Sequence, residues 1–198
     1  MNRIITIGRQ FGSGGRELGR RLAEQLEIPY YDREILKEIA DRTLIPETYV
    51  RQVIEKRKIP VFSSQRARSI QMAMSPEVEE SCAIFQEQKK IILELAQKSD
   101  CMIVGRCADY ILKDQNPFRI FVYADMESRM ARCRKYASNR EHYSDKELEK
   151  YILEIDKKRA SYYEFHTGQK WGAMLNYDLC VNTTGKTIEE ILAELKLS

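Results

Sequence analysis

A group of small residues near the N-terminus is the first part of this sequence with the composition of a binding site. The run Gly12-Ser13-Gly14-Gly15 follows an apolar segment, and Arg16 and Glu17 come directly after it. Glycines let the backbone curl with its N–H groups pointing inward, and a helix that begins there adds partial positive charge. The pattern indicates an anion site, with phosphate as the expected ligand. A plain glycine turn between a strand and a helix is the alternative.

This loop departs from the common phosphate-loop motif GxxxxGK[ST]. When the two are aligned on Gly14, Arg9 stands in place of the first glycine and Gly15 in place of the lysine. We expect Arg16, Arg9 or an arginine from later in the chain to supply the missing charge, with Arg16 as the leading candidate. The magnesium-binding hydroxyl of the motif falls near Arg16 or Glu17, and Glu17 has a carboxylate there. It could coordinate Mg²⁺ or merely pair with Arg21, so no residue is a certain metal ligand.

Alternating strands and helices must position these residues. Apolar, β-branched runs predict strands at residues 3–8, 29–32, 101–104, 118–123 and 177–181. Helical spacing predicts helices at residues 16–26, 33–56 with an interruption near Pro46, 77–99, 126–160 and 187–195. This order predicts an α/β fold, with a five-stranded parallel sheet covered by helices on both faces.

Polar residues follow each predicted strand at the point where the strand ends. They are the glycine loop, Asp32, Arg106, Asp125 and the run Asn182-Thr183-Thr184. Ligands of parallel sheets bind beyond the carboxyl ends of the strands, so we expect one shared site at this edge. Asp32 either faces a ligand or caps the helix that follows it, and both interpretations remain open. We interpret Asp125 as a helix cap.

Composition excludes several classes of protein. The 198 residues carry a net charge of +3, and 43% are hydrophobic, which is typical of a globular domain and too balanced for an evident nucleic-acid binder. The five cysteines form no CxxC pair and there are two histidines, so metal-ligand spacing is absent. Scattered cysteines and the lack of a long apolar segment lead us to expect a cytoplasmic protein that does not bind membranes.

Several stretches, in the same order along the chain, resemble the cytidylate kinase-like family. Residues 5–18, which contain the glycine loop, resemble the opening of that family. Pro29-Tyr30-Tyr31-Asp32 and Ile103-Val104-Gly105-Arg106 resemble its second and third strands. Residues 156–163, Thr167-Gly168, Trp171-Gly172 and 176–179 resemble its C-terminal signature. The likeness covers nearly the whole chain.

The resemblance implies one P-loop kinase domain over residues 1–198, with an acceptor-binding insertion at about 33–99 and an arginine-rich helical lid at about 126–172. It implies ATP and Mg²⁺ as cofactors and phosphoryl transfer to a small acceptor, with a nucleoside monophosphate such as CMP expected first. Arg159 would reach the phosphates and Asp156 would orient a neighbouring arginine, which makes both catalytic candidates alongside Arg16.

The same resemblance makes Asp32 and Arg106 the acceptor-binding candidates. Arg106 directly follows a buried strand, where an arginine has little structural purpose. Cytidylate kinases usually carry an acidic residue at the next position, which is Cys107 here. This departure weakens the expectation of cytosine recognition.

Other interpretations stay open. The altered loop favours a nucleotide-binding regulator without catalytic activity, and a kinase of another small metabolite is also compatible with the sequence. A nucleic-acid-binding module is a weaker alternative, and the oligomeric state is undetermined. We expect Arg129, Arg132 and Arg134 to form a solvated helix face. We expect Tyr162, Tyr163 and Trp171 to pack the lid rather than stack on a base, whereas Arg66 and Arg68 lie where related kinases bind a monophosphate.

Overall fold

A parallel sheet forms the centre of the computed structural model, which describes residues 2–56, 76–136 and 143–195. Its strands are β1 Ile4–Arg9, β2 Tyr30–Tyr31, β3 Cys101–Val104, β4 Phe118–Tyr123 and β5 Leu179–Asn182. They lie in the order β2-β3-β1-β4-β5, and every pair of neighbours is parallel. The predicted five-stranded α/β sheet is therefore confirmed.

Helices of the described ranges connect these strands. They are α1 Gly15–Gln25, α2 Glu34–Thr43, α3 Glu47–Arg51, α4 Pro76–Lys98, α5 Ala108–Ile111, α6 Met126–Tyr136, α7 Asp145–Thr167 and α8 Ile188–Glu194. A π-helical turn at Gln52–Lys56 continues α3, and 3₁₀ turns lie at Lys113–Gln115 and Met174–Asn176. None of the helices described is long and apolar enough to cross a membrane.

The central strand β1 shows why the sheet is buried on both faces. Ile4, Ile5 and Ile7 are almost completely buried, and the near-continuous apolar run is typical of a parallel strand with helices on both sides. One hydrophobic cluster joins the sheet to α2, α4 and α7, and a second joins it to α1 and α8. Because β1 is buried on both faces, its carboxyl end is held at a defined place, and the glycine loop starts there.

The helical segment predicted over residues 33–56 is interrupted near Pro46 as expected, because Leu44 adopts a left-handed conformation (φ 57°) and Pro46 precedes α3. The helix predicted over 126–160 is not continuous, because α7 begins at a capping box formed by Ser144 and Glu147 and runs on to Thr167. The boundaries of the insertion and the lid remain predictions, and Arg66 and Arg68 lie outside the described residues.

Candidate functional site

The glycine loop connects β1 to α1 and is pressed against two later helices. Gly12 and Gly14 have left-handed backbone conformations, with φ of 78° and 81°. A Cβ on Gly12 would lie 2.8 Å from the carbonyl oxygen of Arg129, and one on Gly14 would lie 2.7 Å from Ile188 Cδ1. The hydroxyl of Thr183, after β5, donates a hydrogen bond of 2.7 Å to the Ser13 carbonyl. The loop is thus held in one shape by α6, α8 and the end of β5.

A buried ion pair clamps the start of this loop. Asp156 Oδ1 accepts a 2.7 Å hydrogen bond from the Phe11 N–H, and Arg129 Nε donates a 2.7 Å bond to the Phe11 carbonyl oxygen. Arg129 and Asp156 also pair with each other, and both are buried. Burial raises the pKa of the Asp156 carboxyl, although the charge of Arg129 opposes this. Asp156 does orient a neighbouring arginine, and the geometry identifies it as Arg129.

The expectation that this arginine lies on a solvated face of α6 is therefore wrong for Arg129, which is 4% exposed. Arg132 also departs from the expectation, because its Nη2 donates to the carbonyls of Thr183 and Lys186. Arg134 fits the expectation, since it pairs with the exposed Asp145. Sequence spacing places all three on one helix but does not reveal which of them another element covers.

Three arginines face two carboxylates at the carboxyl edge of the sheet, and Arg159, which pairs with Asp156 at 3.6 Å, lines the same cavity. We call this the arginine pocket, and it consists of Arg9, Arg16, Arg106, Arg159, Asp32 and Glu55. Asp32 lies 2.5 Å from Arg16 Nε, 3.7 Å from Arg9 Nη2 and 3.6 Å from Arg106 Nη2. Arg106 Nη2 donates a 2.7 Å bond to Glu55. The pocket brings together the predicted residues Asp32, Arg106, Arg159 and Arg16.

The structure rules out one of the two interpretations of Asp32, that of a helix cap. Helix α2 begins at Glu34, and Arg33 occupies the N-cap position without a capping side chain. The Asp32 carboxylate instead faces arginines from three elements, and it is 3% exposed. Asp32 is therefore not the helix cap. Asp125, in contrast, caps α6 as expected, because its Oδ1 accepts a 2.8 Å bond from the Ser128 N–H.

The arginine pocket carries an excess of positive charge. Burial, and after it the charge of Arg159, lowers the pKa of Arg9 to about 9. Burial likewise lowers the pKa of Arg159. For Glu55, burial acts to raise the pKa, but the charge and hydrogen bond of Arg106 outweigh it and the pKa is lowered. Crowded, desolvated guanidinium groups favour an anion among them.

The turn after β3 aims Arg106 into this pocket. Gly105, Arg106 and Cys107 all have left-handed conformations, with φ of 71°, 60° and 54°. Such conformations are costly for residues other than glycine and often occur at functional sites. The buried atoms Arg106 Nε and Asp32 Oδ1 have no hydrogen-bond partner. Bidentate arginine contacts with oxygen atoms would satisfy the Arg106 donor, so an oxyanion fits this position.

Sequence reasoning missed Glu55, which contacts Arg106, and Asp109, which borders the same pocket. Tyr163 donates a 2.7 Å hydrogen bond to Asp109, and burial raises the pKa of that carboxyl. A carboxylate in an apolar segment just after a strand is a signal that could have identified Asp109. Glu55 lies among other charged residues, and nothing local distinguishes it.

Aromatic residues close the far side of the arginine pocket. Tyr162 and Tyr163 are buried, and the Trp171 ring meets the edge of Phe121 at 5.4 Å between centroids. These rings pack α7 and the segment after it against the sheet, as expected.

A second cavity, the loop cleft, lies on the other side of the glycine loop. Its volume is about 460 Å³. Its polar and aromatic lining includes Phe11, Arg16, Glu17, Tyr30, Asp32 and Arg132. Asp32 borders this cleft, and its carboxylate also faces Arg9 and Arg106 of the arginine pocket. A molecule in the cleft could therefore approach a molecule in the pocket.

Glu17 forms an ion pair with Arg21 at 2.8 Å, and Arg21 also pairs with Glu189 at 2.6 Å. Over residues 2–56, 76–136 and 143–195, no three His, Cys, Asp or Glu side chains are grouped in a way that could hold a metal ion. The Glu17 carboxylate already has a partner.

The strand order and the glycine loop between β1 and α1 define the class of this protein as the P-loop kinase fold. The chain belongs to the cytidylate kinase-like family, whose model matches residues 4–185.

Solved structures agree with this fold. An uncharacterized protein from Eubacterium ventriosum is 28% identical, with a TM-score of 0.70 over 98% of this chain and 96% of the other. Shikimate kinase from Bacteroides thetaiotaomicron is 16% identical, with a TM-score of 0.57 over 99% and 97%. A gluconokinase from Sinorhizobium meliloti is 15% identical, with a TM-score of 0.51 over 98% and 89%. No curated protein matches the chain.

Proposed function

We propose that this protein is an ATP-dependent kinase that phosphorylates a small acceptor bearing an anionic group. The observation that carries the proposal is the arginine pocket beside the glycine loop. Phosphoryl transfer needs positioning and positive charge around the transferring group more than it needs covalent chemistry. Arg9, Arg16 and Arg106 around two carboxylates, with Arg159 in the same cavity, provide that environment.

The donor phosphates bind at the glycine loop in this proposal. The loop precedes the N-terminus of α1, which favours anions, and the clamp of Arg129 and Asp156 on Phe11 keeps its backbone in place. Arg16 lines the loop cleft and is half-exposed, so its charge is accessible to a ligand there. The nucleoside part of ATP occupies the cleft beyond the phosphates.

The acceptor binds in the arginine pocket. Arg106 and Arg159 hold its anionic group, and Asp32 both arranges the guanidinium groups and faces the place where the acceptor meets the donor. Asp156 is a positioning residue, because it contacts the loop backbone and Arg129 rather than a cavity. Arg159 lies 5.4 Å from the Phe11 ring centroid, which links α7 to the loop.

Mg²⁺ arrives with ATP in this proposal. Because the described carboxylates form no metal-holding group and Glu17 pairs with Arg21, the phosphates supply most of its ligands. The bound ion neutralises charge on the phosphate oxygens. The chain itself contributes the loop N–H groups and the arginines.

CMP is the first acceptor to test, on the strength of family membership. The residue after Arg106 is Cys107, a buried thiol whose pKa is raised well above its ordinary value by burial, so it offers no charge to a base. Nucleoside monophosphates with other bases therefore belong in the same panel. Shikimate and gluconate belong there as well, because structural neighbours are named for kinases of these acids.

The test is direct phosphotransfer with purified protein, Mg²⁺ and ATP. Each acceptor is incubated separately, and products are resolved by chromatography. A turnover of roughly 1 per second or faster is a normal rate for a kinase. Formation of CDP or of another phosphorylated acceptor at such a rate would support the proposal. The absence of product from every acceptor would contradict it.

A nucleotide-binding regulator is the second candidate, and the lack of a lysine at Gly15 favours it. Calorimetry separates the two functions, since a regulator would bind ATP without transferring phosphate. We further propose small-molecule partners, no nucleic-acid binding and a cytoplasmic location. Binding of an oligonucleotide that weakens steeply between two salt concentrations would contradict the absence of nucleic-acid binding.

A further inference from the structure

Two positions of the glycine loop have exchanged their residue types. In the common motif a glycine stands where this chain has Arg9, and a lysine stands where it has Gly15. In the fold these two positions touch. A Cβ on Gly15 would lie only 2.6 Å from Arg9 Cβ, closer than real Cβ contacts allow. A lysine at position 15 is therefore sterically incompatible with an arginine at position 9.

The same distance has a second consequence. The Cβ of Arg9 lies close to the place where the Cβ of a lysine at position 15 would lie, so the two side chains would begin at nearly the same position. It then passes Gly105, where a Cβ would lie 1.7 Å from Arg9 Nη1 and 2.9 Å from its Cζ. Gly15 and Gly105 thus form a passage through which the Arg9 side chain reaches the space between the loop and the arginine pocket.

The Arg9 guanidinium is poorly neutralised at the end of this passage. Its side chain is 11% exposed, and Asp32 Oδ1 lies 3.7 Å from its Nη2, which is beyond hydrogen-bond distance. Arg16, in contrast, is 48% exposed in its side chain and lies 2.5 Å from Asp32. The Arg9 guanidinium is therefore less closely paired with Asp32 than Arg16 is, and it is better shielded from water.

We propose that Arg9 replaces the phosphate-loop lysine as the cation that contacts the outer phosphates of the donor nucleotide. Compared with the common motif, the cationic residue stands at position 9 instead of 15 and the glycine at position 15 instead of 9. The positive charge nevertheless occupies the same place in the fold. The inference rests on the proposed function in one respect, namely that the loop holds the phosphates of ATP. A purely structural role for Arg9, filling the space between the two glycines, is the rival explanation.

A double-mutant cycle tests the exchange. The variants are Arg9→Gly, Gly15→Lys and both together, and the double variant restores the first glycine and the lysine of the common motif, with Arg16 unchanged. Titration calorimetry with Mg-ATP, and separately with inorganic tripolyphosphate, measures phosphate binding, while thermal unfolding monitors the fold. We expect Arg9→Gly to lose about tenfold or more in both affinities, the typical effect of one hydrogen bond to a charged group. We expect Gly15→Lys alone to bind no better than wild type, because Arg9 blocks the new side chain.

The double variant should regain most of the affinity that Arg9→Gly loses, which is a non-additive result. A space-filling role would not produce this recovery. Arg9→Met keeps most of the volume without the charge and should lose affinity similarly, whereas Arg9→Lys should retain most of it. Arg3→Met is the matched control, because Arg3 is exposed and directly precedes the first residue of β1. This variant should bind both ligands as wild type does.

Two results would overturn the inference. One is a folded Arg9→Met protein that binds ATP and tripolyphosphate within about twofold of wild type, well below the effect of one charged hydrogen bond. The other is a folded double variant with no recovery. If the double variant does not fold, the Arg9→Met and Arg9→Lys pair decides. Wild-type protein that binds ATP but phosphorylates no acceptor contradicts only the kinase function. Wild-type protein that binds neither ligand contradicts both proposals.

Discussion

The carboxylate of Asp156 accepts a 2.7 Å hydrogen bond from the backbone N–H of Phe11, which lies 145 residues earlier in the chain. Arg129 donates a hydrogen bond to the backbone carbonyl oxygen of Phe11 and forms an ion pair with Asp156. One buried ion pair therefore holds both backbone polar groups of Phe11 at the start of the glycine loop.

Breaking the clamp should destabilise the protein strongly. Asp156→Ala leaves the buried Arg129 guanidinium without its counter-charge, and we expect a loss of about 3–5 kcal/mol in the free energy of unfolding. Urea denaturation measures it. Asp145→Ala is the matched control, because it removes the exposed partner of Arg134 and should change stability little. Equal effects of the two substitutions would mean that the clamp is not a stabilising contact.

Because the Arg9 side chain passes close to Gly105, an alanine substitution should have a larger effect at Gly105 than at Gly185. Gly105 and Gly185 both have positive φ, 71° and 66°, but a Cβ on Gly105 would meet Arg9 whereas a Cβ on Gly185 would meet nothing within 4 Å. Gly185→Ala should cost about 1 kcal/mol from backbone strain alone. Gly105→Ala should cost more and should also weaken ATP binding, since it displaces the guanidinium. Thermal unfolding and calorimetry measure the two effects, and identical behaviour of both variants would contradict the passage.

Acceptor binding should depend on Arg106. Arg106→Met removes the guanidinium that contacts Glu55 and faces Asp32. We expect the KM for the acceptor to rise by about tenfold or more, in line with a lost charged hydrogen bond, while the KM for ATP stays nearly unchanged. Arg119→Met is the control, because Arg119 pairs with Asp178 outside the arginine pocket. A parallel rise of both KM values would show that Arg106 supports the whole site instead of the acceptor alone.

Stability should fall in acid because of His166. Its ring stacks on Phe85, with centroids 4.2 Å apart, and Ser81 Oγ lies 3.1 Å from its Nε2. Burial lowers the pKa of His166 from 6.5 to about 3, so the folded protein favours the neutral ring. This contribution to stability is fully present above pH 6.5 and is lost progressively as the pH falls towards 3.

His166→Gln cannot take up that proton and should lack this part of the pH dependence. The experiment compares the free energy of unfolding of both proteins between pH 7 and pH 4, where the carboxylates that titrate are common to both. We expect the advantage of wild type over the variant to shrink as the pH falls. A constant difference over this range would mean that His166 is not held neutral by the fold.

Much of the architecture follows from local sequence patterns. The isoleucines of β1, the helical spacing of Leu18 and Leu22 and the order of the elements are sufficient to predict the parallel sheet and both helical layers. Parallel sheets place all carboxyl strand ends at one edge, so the polar residues that follow the strands had to meet there. The grouping of Asp32 with Arg106 was predictable for this reason.

Tertiary structure decided which charges from distant parts of the chain pair and which of them are buried. Helical periodicity puts Arg129 and Arg134 on α6 alike, yet only contact with α7 and the loop buries Arg129 against Asp156. Glu55 acquires its role solely because the turn after β3 brings Arg106 to it.

The arginine that replaces the missing lysine also depends partly on the sequence and partly on the tertiary structure. The sequence determined that position 15 has no lysine and that several arginines are present. The choice among them depends on contacts between Arg9, Gly15 and Gly105, which are set by the packing of β1 against β3 and α1. Local patterns encode which residues are buried, because burial follows the period of each element. Local patterns do not encode that the Arg9 side chain fills the space beside Gly15 and Gly105, which lie far from it in sequence or on another element.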